Sequence, residues 1–122
     1  MTNFAVWFEI PVSDIERAAK FYSTVFEQEL EINDYEGRRF ATFTLGREGV
    51  GGSLNQCEGF DPGDKGPLIY LTAGDDLTPA MNRVEAAGGK LLTPKTDLGG
   101  GFGFYAMFND TEGNTLALHS SN

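Results

Sequence analysis

Asp14-Ile15-Glu16-Arg17-Ala18-Ala19-Lys20-Phe21-Tyr22 and Asp76-Leu77-Thr78-Pro79-Ala80-Met81-Asn82-Arg83-Val84 decide how this chain reads. Counted from each aspartate, apolar residues recur one, four, five and eight positions later: Ile15, Ala18, Ala19 and Tyr22, then Leu77, Ala80, Met81 and Val84. That spacing turns one face of a helix toward a core. Amphipathic helices share it by default, so what flanks each helix carries the argument further.

Before the first helix, residues 4–10 are rich in aromatic and β-branched side chains and predict a buried strand ended by Pro11. Ser13 and Glu16 have the spacing of a capping box, and the apolar face continues to Val25 and Phe26. Strands are predicted over 29–33, from Arg38 to Leu45 and over 50–56, with turns at Glu36-Gly37 and from Gly46 to Gly49. Residues 57–67 hold three glycines and two prolines and read as a linker. The pattern then restarts. A strand from Leu68 to Thr72 leads through Asp75-Asp76 to the second helix, where Pro79 is tolerated in the first turn and Gly88-Gly89 permits a left-handed stop. A short strand from Lys90 to Thr93, a glycine-rich loop over 94–102 and a hairpin of 103–109 with 114–119 complete it. The order strand, helix and three strands occurs twice. The predicted fold class is α+β, a single domain of two βαβββ modules, 1–57 and 67–122, joined by a linker over 58–66.

The bulk properties agree with one globular domain. The chain has 122 residues, 40% of them hydrophobic, with ten Phe, four Tyr and one Trp to fill a core. A net charge of −9 with scattered basic residues argues against nucleic acid as a partner. The one cysteine, Cys57, excludes an intrachain disulfide. The first residues lack a basic segment and reach Glu9 after a short apolar run, unlike a signal peptide, and no apolar stretch approaches the roughly 20 residues that cross a bilayer. A cytoplasmic location without membrane contact is expected.

Three stretches carry a family resemblance. Ile10-Pro11-Val12-Ser13-Asp14-Ile15-Glu16-Arg17-Ala18-Ala19-Lys20-Phe21-Tyr22, with Val25-Phe26, resembles the opening of glyoxalase/bleomycin-resistance proteins. Val84-Glu85-Ala86-Ala87-Gly88-Gly89-Lys90 and Asn109-Asp110-Thr111-Glu112-Gly113-Asn114 resemble the second half of the same group, the vicinal oxygen chelate superfamily. The resemblance implies that the two modules form a cupped mixed sheet around a cavity. Enzymes of the superfamily usually hold one divalent metal there, by His, Glu or Gln side chains from both modules. The superfamily spans isomerases, ring-cleaving dioxygenases, thiol transferases and antibiotic-sequestering proteins, so the resemblance specifies a fold more than an activity.

Carried over position by position, the resemblance places the first metal ligand at Trp7, whose indole N–H only donates. The second falls near Ser53 and Leu54, the third at Leu68 or Ile69, the fourth at Ala117. None is a His or a carboxylate, and no metal cofactor is expected at the usual place. Strand alternation adds Glu9 beside Trp7 and His119 beside Ala117. These two are the candidates for a relocated metal site or an acid–base pair, against an ion pair of Glu9 with Arg38 or Arg39 and a solvent-exposed His119. Trp7, Phe8, Tyr70, Phe102, Phe104 and Tyr105 are candidates for stacking on an aromatic ligand, with core packing as the simpler role for most. Gly99-Gly100-Gly101 with Gly103 joins two strands, unlike a phosphate-binding loop. Cys57 has no histidine near it in sequence.

The leading expectation is a small-molecule binding protein whose cavity is walled by Trp7, Glu9, Tyr70, Ala117 and His119. A metal-dependent lyase or dioxygenase with a relocated site is the second reading. A structural or regulatory module with a filled cavity is the third. A homodimer fits all three, because open sheet edges are usually paired or covered.

Overall fold

The computed structural model describes residues 3–43 and 49–122. In the first module, β1 (Trp7–Pro11) is followed by α1 (Ile15–Phe26), β2 (Ile32–Tyr35), β3 (Arg38–Phe43) and β4 (Gly51–Gln56). The second runs β5 (Tyr70–Thr72), α2 (Thr78–Val84), β6 (Lys90–Asp97), β7 (Phe104–Asn109) and β8 (Thr115–Ser120). The sheets have strand orders β1-β4-β3-β2 and β5-β8-β7-β6, one topology used twice. In each, the first strand lies parallel to the last and the other pairs are antiparallel. This is the α+β architecture of two βαβββ modules. Among the described residues, no helix is long and apolar enough to cross a membrane.

Alternation along the strands sets the core. Phe8 and Ile10 of β1, Ala41 of β3 and Leu54 of β4 face α1, which buries Ile15, Ala18, Ala19, Phe21, Tyr22 and Val25 against them. From the second sheet, Leu71, Ala106, Phe108, Leu116 and Leu118 join the same cluster, with Ala80 and Val84 of α2. One core therefore serves both modules.

Several boundaries differ from the sequence reading. Strand β1 starts at Trp7, leaving Phe4 and Val6 exposed, and includes Pro11 as its last residue. Strand β2 starts at Ile32, and β5 is trimmed to Tyr70–Thr72. Residues 94–97, expected in a loop, extend β6 to Asp97. Pro94 is accommodated because β6 is an edge strand whose pairing with β7 shifts register between Thr93 and Thr96. The end of the Arg38–Leu45 strand and most of the Gly46–Gly49 turn lie outside the described residues.

The capping box of Ser13 and Glu16 does not form. Asp14 is the N-cap, its side chain accepting from the Arg17 N–H at 3.1 Å, and Glu16 instead pairs with Arg39. The backbone N–H groups of Ser13 and Asp14 donate, each at 2.9 Å, to Oε1 of Glu112 in the β7–β8 turn. Arg17 grips the same carboxylate with two further bonds of 2.7 and 2.9 Å. Burial favours the protonated form of Glu112, but these donors outweigh it and hold the carboxyl below its usual range.

Gly88 and Gly89 have separate roles. Gly88 takes the left-handed conformation (φ +105°) in the turn after α2, whose C-cap is Glu85, and the Gly89 N–H closes that turn on the Val84 carbonyl at 3.0 Å. At Gly89 a Cβ would lie 2.5 Å from the Asn109 carbonyl oxygen and 2.6 Å from the Phe21 ring, so it is close packing on α1 that excludes a side chain.

Candidate functional site

The faces of the sheets turned away from the helices carry the candidate residues. Trp7, Glu9 and Pro11 alternate with the core-facing Phe8 and Ile10. Tyr70 and Thr72 alternate with the core residue Leu71, and Ala117 and His119 with Leu116 and Leu118. Register sets their neighbours: Trp7 lies opposite Gly51, Glu9 opposite Ser53, Tyr70 opposite Ala117, and Thr72 opposite His119. A Cβ at Gly51 would come 3.4 Å from Cζ3 of Trp7, so the bare backbone lets the indole lie across β4. Trp7 and Tyr70 keep 47% and 48% of their surface exposed, enough to meet a ligand. Ala117 is fully buried.

The five residues form two sets, one on each sheet. Glu9 Oε2 stands 3.7 Å from Arg38 Nη1, the ion pair that the sequence left open between Arg38 and Arg39. The Arg38 guanidinium also lies 5.3 Å from the centre of the Phe40 ring. Arg39 is turned to Asp34 and Glu16. His119 is half-buried, and its Nε2 is 2.7 Å from the Phe102 carbonyl oxygen. A carbonyl only accepts, so this contact requires a proton on Nε2, and the lone pair of a neutral ring would then lie on Nδ1. The absent side chain of Gly103 makes room, since a Cβ there would lie 3.0 Å from Nε2 and 2.4 Å from the Ser120 carbonyl oxygen. No hydrogen bond or ion pair links Glu9 to His119 among the described residues.

Two clefts mark opposite ends of the seam between the modules. The larger, about 470 Å³, is bounded by Glu9 and Pro11 of β1, Leu68 and Ile69 before β5, Met107 and Thr115 of the second sheet, and linker residues Phe60 to Pro67. The smaller, about 190 Å³, is lined by Phe8, Gly51 and Tyr70 to Thr72, among others. Because Glu9–Pro11 meets Leu68–Ile69 at one end while Phe8 meets Tyr70–Thr72 at the other, β1 and β5 run in opposite directions across the seam. Of the five candidates, Glu9 borders the larger cleft and Tyr70 the smaller.

The linker is a wall of the larger cleft, a role its composition did not signal. Gly63 N–H donates to Asn114 Oδ1 at 3.0 Å, and Asn114 Nδ2 donates to the Pro11 carbonyl at 2.8 Å and to Asp110 Oδ2 at 3.0 Å. One asparagine thus ties linker, first strand and last turn together. The glycine and proline spacing marked a connection; its docking depends on a residue about fifty positions away.

The donor set does not fit a divalent ion at the positions implied by the resemblance. Trp7 has no lone pair to offer, Leu54 packs in the core, and Leu68, Ile69 and Ala117 are hydrocarbon. Ser53 Oγ already accepts from Asn55 Nδ2 at 2.7 Å. The described residues contain no group of three or more His, Cys, Asp or Glu side chains arranged to hold a metal. Asn55, unremarked in the sequence, has its Oδ1 buried without a partner.

The family model that matches residues 5–118 is that of the Glyoxalase/Bleomycin resistance protein/Dioxygenase superfamily. A Glyoxylase-like domain-containing protein from Didymella fabae is 33% identical over 118 residues, covering 90% of this chain and 88% of that protein. Among solved structures, a glyoxylase/bleomycin resistance protein/dioxygenase domain from Frankia sp. superposes with a TM-score of 0.75 at 19% identity, over 100% of this chain and 93% of that one. Glyoxalase I from Zea mays gives 0.73 at 23% identity, over 94% of this chain but 43% of that chain, so the present chain spans less than half of the maize protein. The fosfomycin resistance protein FosX from Listeria monocytogenes, solved as a mutant with Mn(II), gives 0.68 at 16% identity, over 100% and 92%.

Proposed function

The chain belongs to the Glyoxalase/Bleomycin resistance protein/Dioxygenase superfamily, and from that premise we propose that it binds a small organic molecule on the cupped faces of its sheets without a divalent metal. The observation that carries this reading is the cleft of about 470 Å³ walled by both modules and the linker. Its volume falls in the range of small-molecule sites, and its lining mixes hydrocarbon from Leu68 and Met107 with charge from Glu9, Asp64 and Lys65. Trp7, Tyr70, Ala117 and His119 extend the same faces beyond the cleft. A cytoplasmic location and a homodimer belong to the same proposal.

Trp7 is the only tryptophan and stands two residues from Glu9 on the same strand face, so its fluorescence is an intrinsic probe for a ligand that reaches Glu9. Titration against a chemically varied ligand set is expected to give saturable quenching by at least one class. Calorimetry on the Trp7→Phe variant checks that the signal follows binding. No response by either method across the set overturns the proposal.

A second reading has one observation in its favour: the carbonyl of Phe102 holds the His119 ring and frees Nδ1 to act as a base or a ligand. Under that reading the protein is a metal-dependent lyase or dioxygenase using His119 and Glu9. Protein purified without chelators would then carry stoichiometric Ni, Zn, Fe or Mn, and His119→Ala would lose it. Against it stands Arg38, which already answers the Glu9 carboxylate.

A further inference from the structure

The smaller pocket lies at the other end of the seam and has a different chemistry. Phe8, Phe26, Phe43 and Leu71 supply its apolar walls, and all four pack against the core, which fixes them in place. Its aromatic rings belong to a connected set. Phe8 and Phe43 have centroids 5.9 Å apart, Phe43 meets Tyr22 edge-on at 5.6 Å, and Tyr22 stacks with Phe26 at 6.3 Å. The polar side chains of the lining are Tyr70, Thr72 and Gln28, whose side-chain amide makes no hydrogen bond among the described residues. The Thr72 Oγ1 accepts from the Gly74 N–H at 3.2 Å and keeps its own O–H to donate. Among the described residues, no charged side chain lines the pocket.

We infer that this pocket is a second binding site, for a neutral single aromatic ring bearing one short hydrogen-bonding substituent. The volume of about 190 Å³ is close to that of cavities that accept benzene. A ring entering between Phe8, Phe26 and Phe43 extends edge and offset contacts already present, and restores dispersion contacts that the open walls lack. Gln28 and Thr72 can satisfy one carbonyl or hydroxyl. A carboxylate would lose its hydration without meeting a cation among the described lining residues, which disfavours charge there.

The test uses the full chain, labelled with ¹⁵N, and three probes of one shape: benzyl alcohol, benzamide and benzoate. Benzyl alcohol and benzamide are expected to shift the amides of Phe8, Leu71 and Thr72 saturably, with a Kd of about 1 mM or tighter, and benzoate to bind at least tenfold more weakly. Val50→Phe places a ring at the pocket wall and is expected to abolish the shifts while leaving the remaining spectrum dispersed. Should that variant unfold, Thr72→Val decides instead, weakening benzyl alcohol severalfold and leaving toluene unchanged. Shifts that do not saturate, or that survive pocket filling, overturn the inference. So does benzoate binding as well as benzamide. The exposed Phe4 of a second copy is a rival occupant; pocket shifts that appear on concentrating the free protein and vanish in Phe4→Ala would assign the pocket to self-association and overturn the inference too. The larger cleft is a separate site, bordered by Glu9 at the other end of the seam, so failure here leaves the calorimetric test of that cleft unaffected.

Discussion

Helices α1 and α2 hold equivalent places in two modules of one topology, yet they contribute unequally. Helix α1 runs for 12 residues and buries six side chains, among them Phe21 and Tyr22; α2 runs for seven and buries Ala80 and Val84. The start of α1 is secured by Asp14 and by Glu112 from the other module. At the start of α2 the N-cap is Leu77, with no side-chain cap bond. The repeat has kept strand order and helix spacing while moving the joint between modules onto one helix. Tyr22 shows the same bias: its hydroxyl donates to Asp110 Oδ2 at 2.8 Å, and burial beside that carboxylate raises its pKa well above the usual phenol value.

The strongest way to break this comparison is to truncate one core-facing side chain on each helix. Phe21 is 1% exposed, meets Tyr22 edge-on at 4.9 Å and Phe108 at 6.0 Å, and fills the space that Gly89 leaves. Phe21→Ala is expected to cost about 3–5 kcal/mol in chemical denaturation. Met81→Ala, on a half-buried side chain of α2, should cost less than half as much. Equal losses would show that the two helices share the load.

The second prediction concerns the clasp at Glu112. Glu112→Ala leaves the Ser13 and Asp14 N–H groups without their acceptor and is expected to cost about 1–3 kcal/mol. The sign of its pH dependence follows from the lowered pKa. The folded protein binds this proton less readily than the unfolded chain, so the clasp contributes fully above the ordinary carboxylate pKa and fades as pH falls through the lower folded value. Melting curves from pH 6 to pH 3 should therefore converge for wild type and Glu112→Gln at the acid end. A difference that stays constant with pH would mean the charge is irrelevant to the joint.

What the sequence disclosed divides along the same line. Helical spacing, the order of elements and the glycine stop are local signals, and they appear in the structure within a few residues. The cap of α1 was misread because Ser13 and Glu16 satisfy a local rule, whereas the actual acceptor, Glu112, lies 99 residues from Ser13 and is brought there by folding. Residues 94–97 read as part of the glycine-rich loop; a strand can hold Pro94 only at an edge, and only the sheet order makes β6 an edge. For the site, the resemblance gives Trp7 and Ala117, strand alternation adds Glu9 and His119 to their faces, and Tyr70 enters as an aromatic candidate. The partners that define their chemistry, Arg38 for Glu9 and the Phe102 carbonyl for His119, depend on register and on a loop path that residue spacing does not encode.

The smallest expected effect comes from the residue that looks most like the counterpart of Asp14. Asp76 accepts from the Thr78 N–H at 2.9 Å and from Lys95 Nζ at 2.9 Å, and these contacts hold its carboxyl at about 2. The lowered value resembles that of Glu112 in direction, but Asp76 sits at an exposed helix start, where water replaces lost contacts and salt screens the pair. Asp76→Asn keeps an oxygen for Thr78 and forfeits only the attraction to Lys95. Its melting temperature at neutral pH should match wild type within error, and any difference should shrink further in high salt. Because the folded pKa is the lower one, whatever Asp76 contributes is lost only as pH falls from the ordinary carboxylate range toward about 2. A loss at pH 7 as large as that of Glu112→Ala would mean that the start of α2 is as firmly held as the start of α1, and the asymmetry between the modules would not stand.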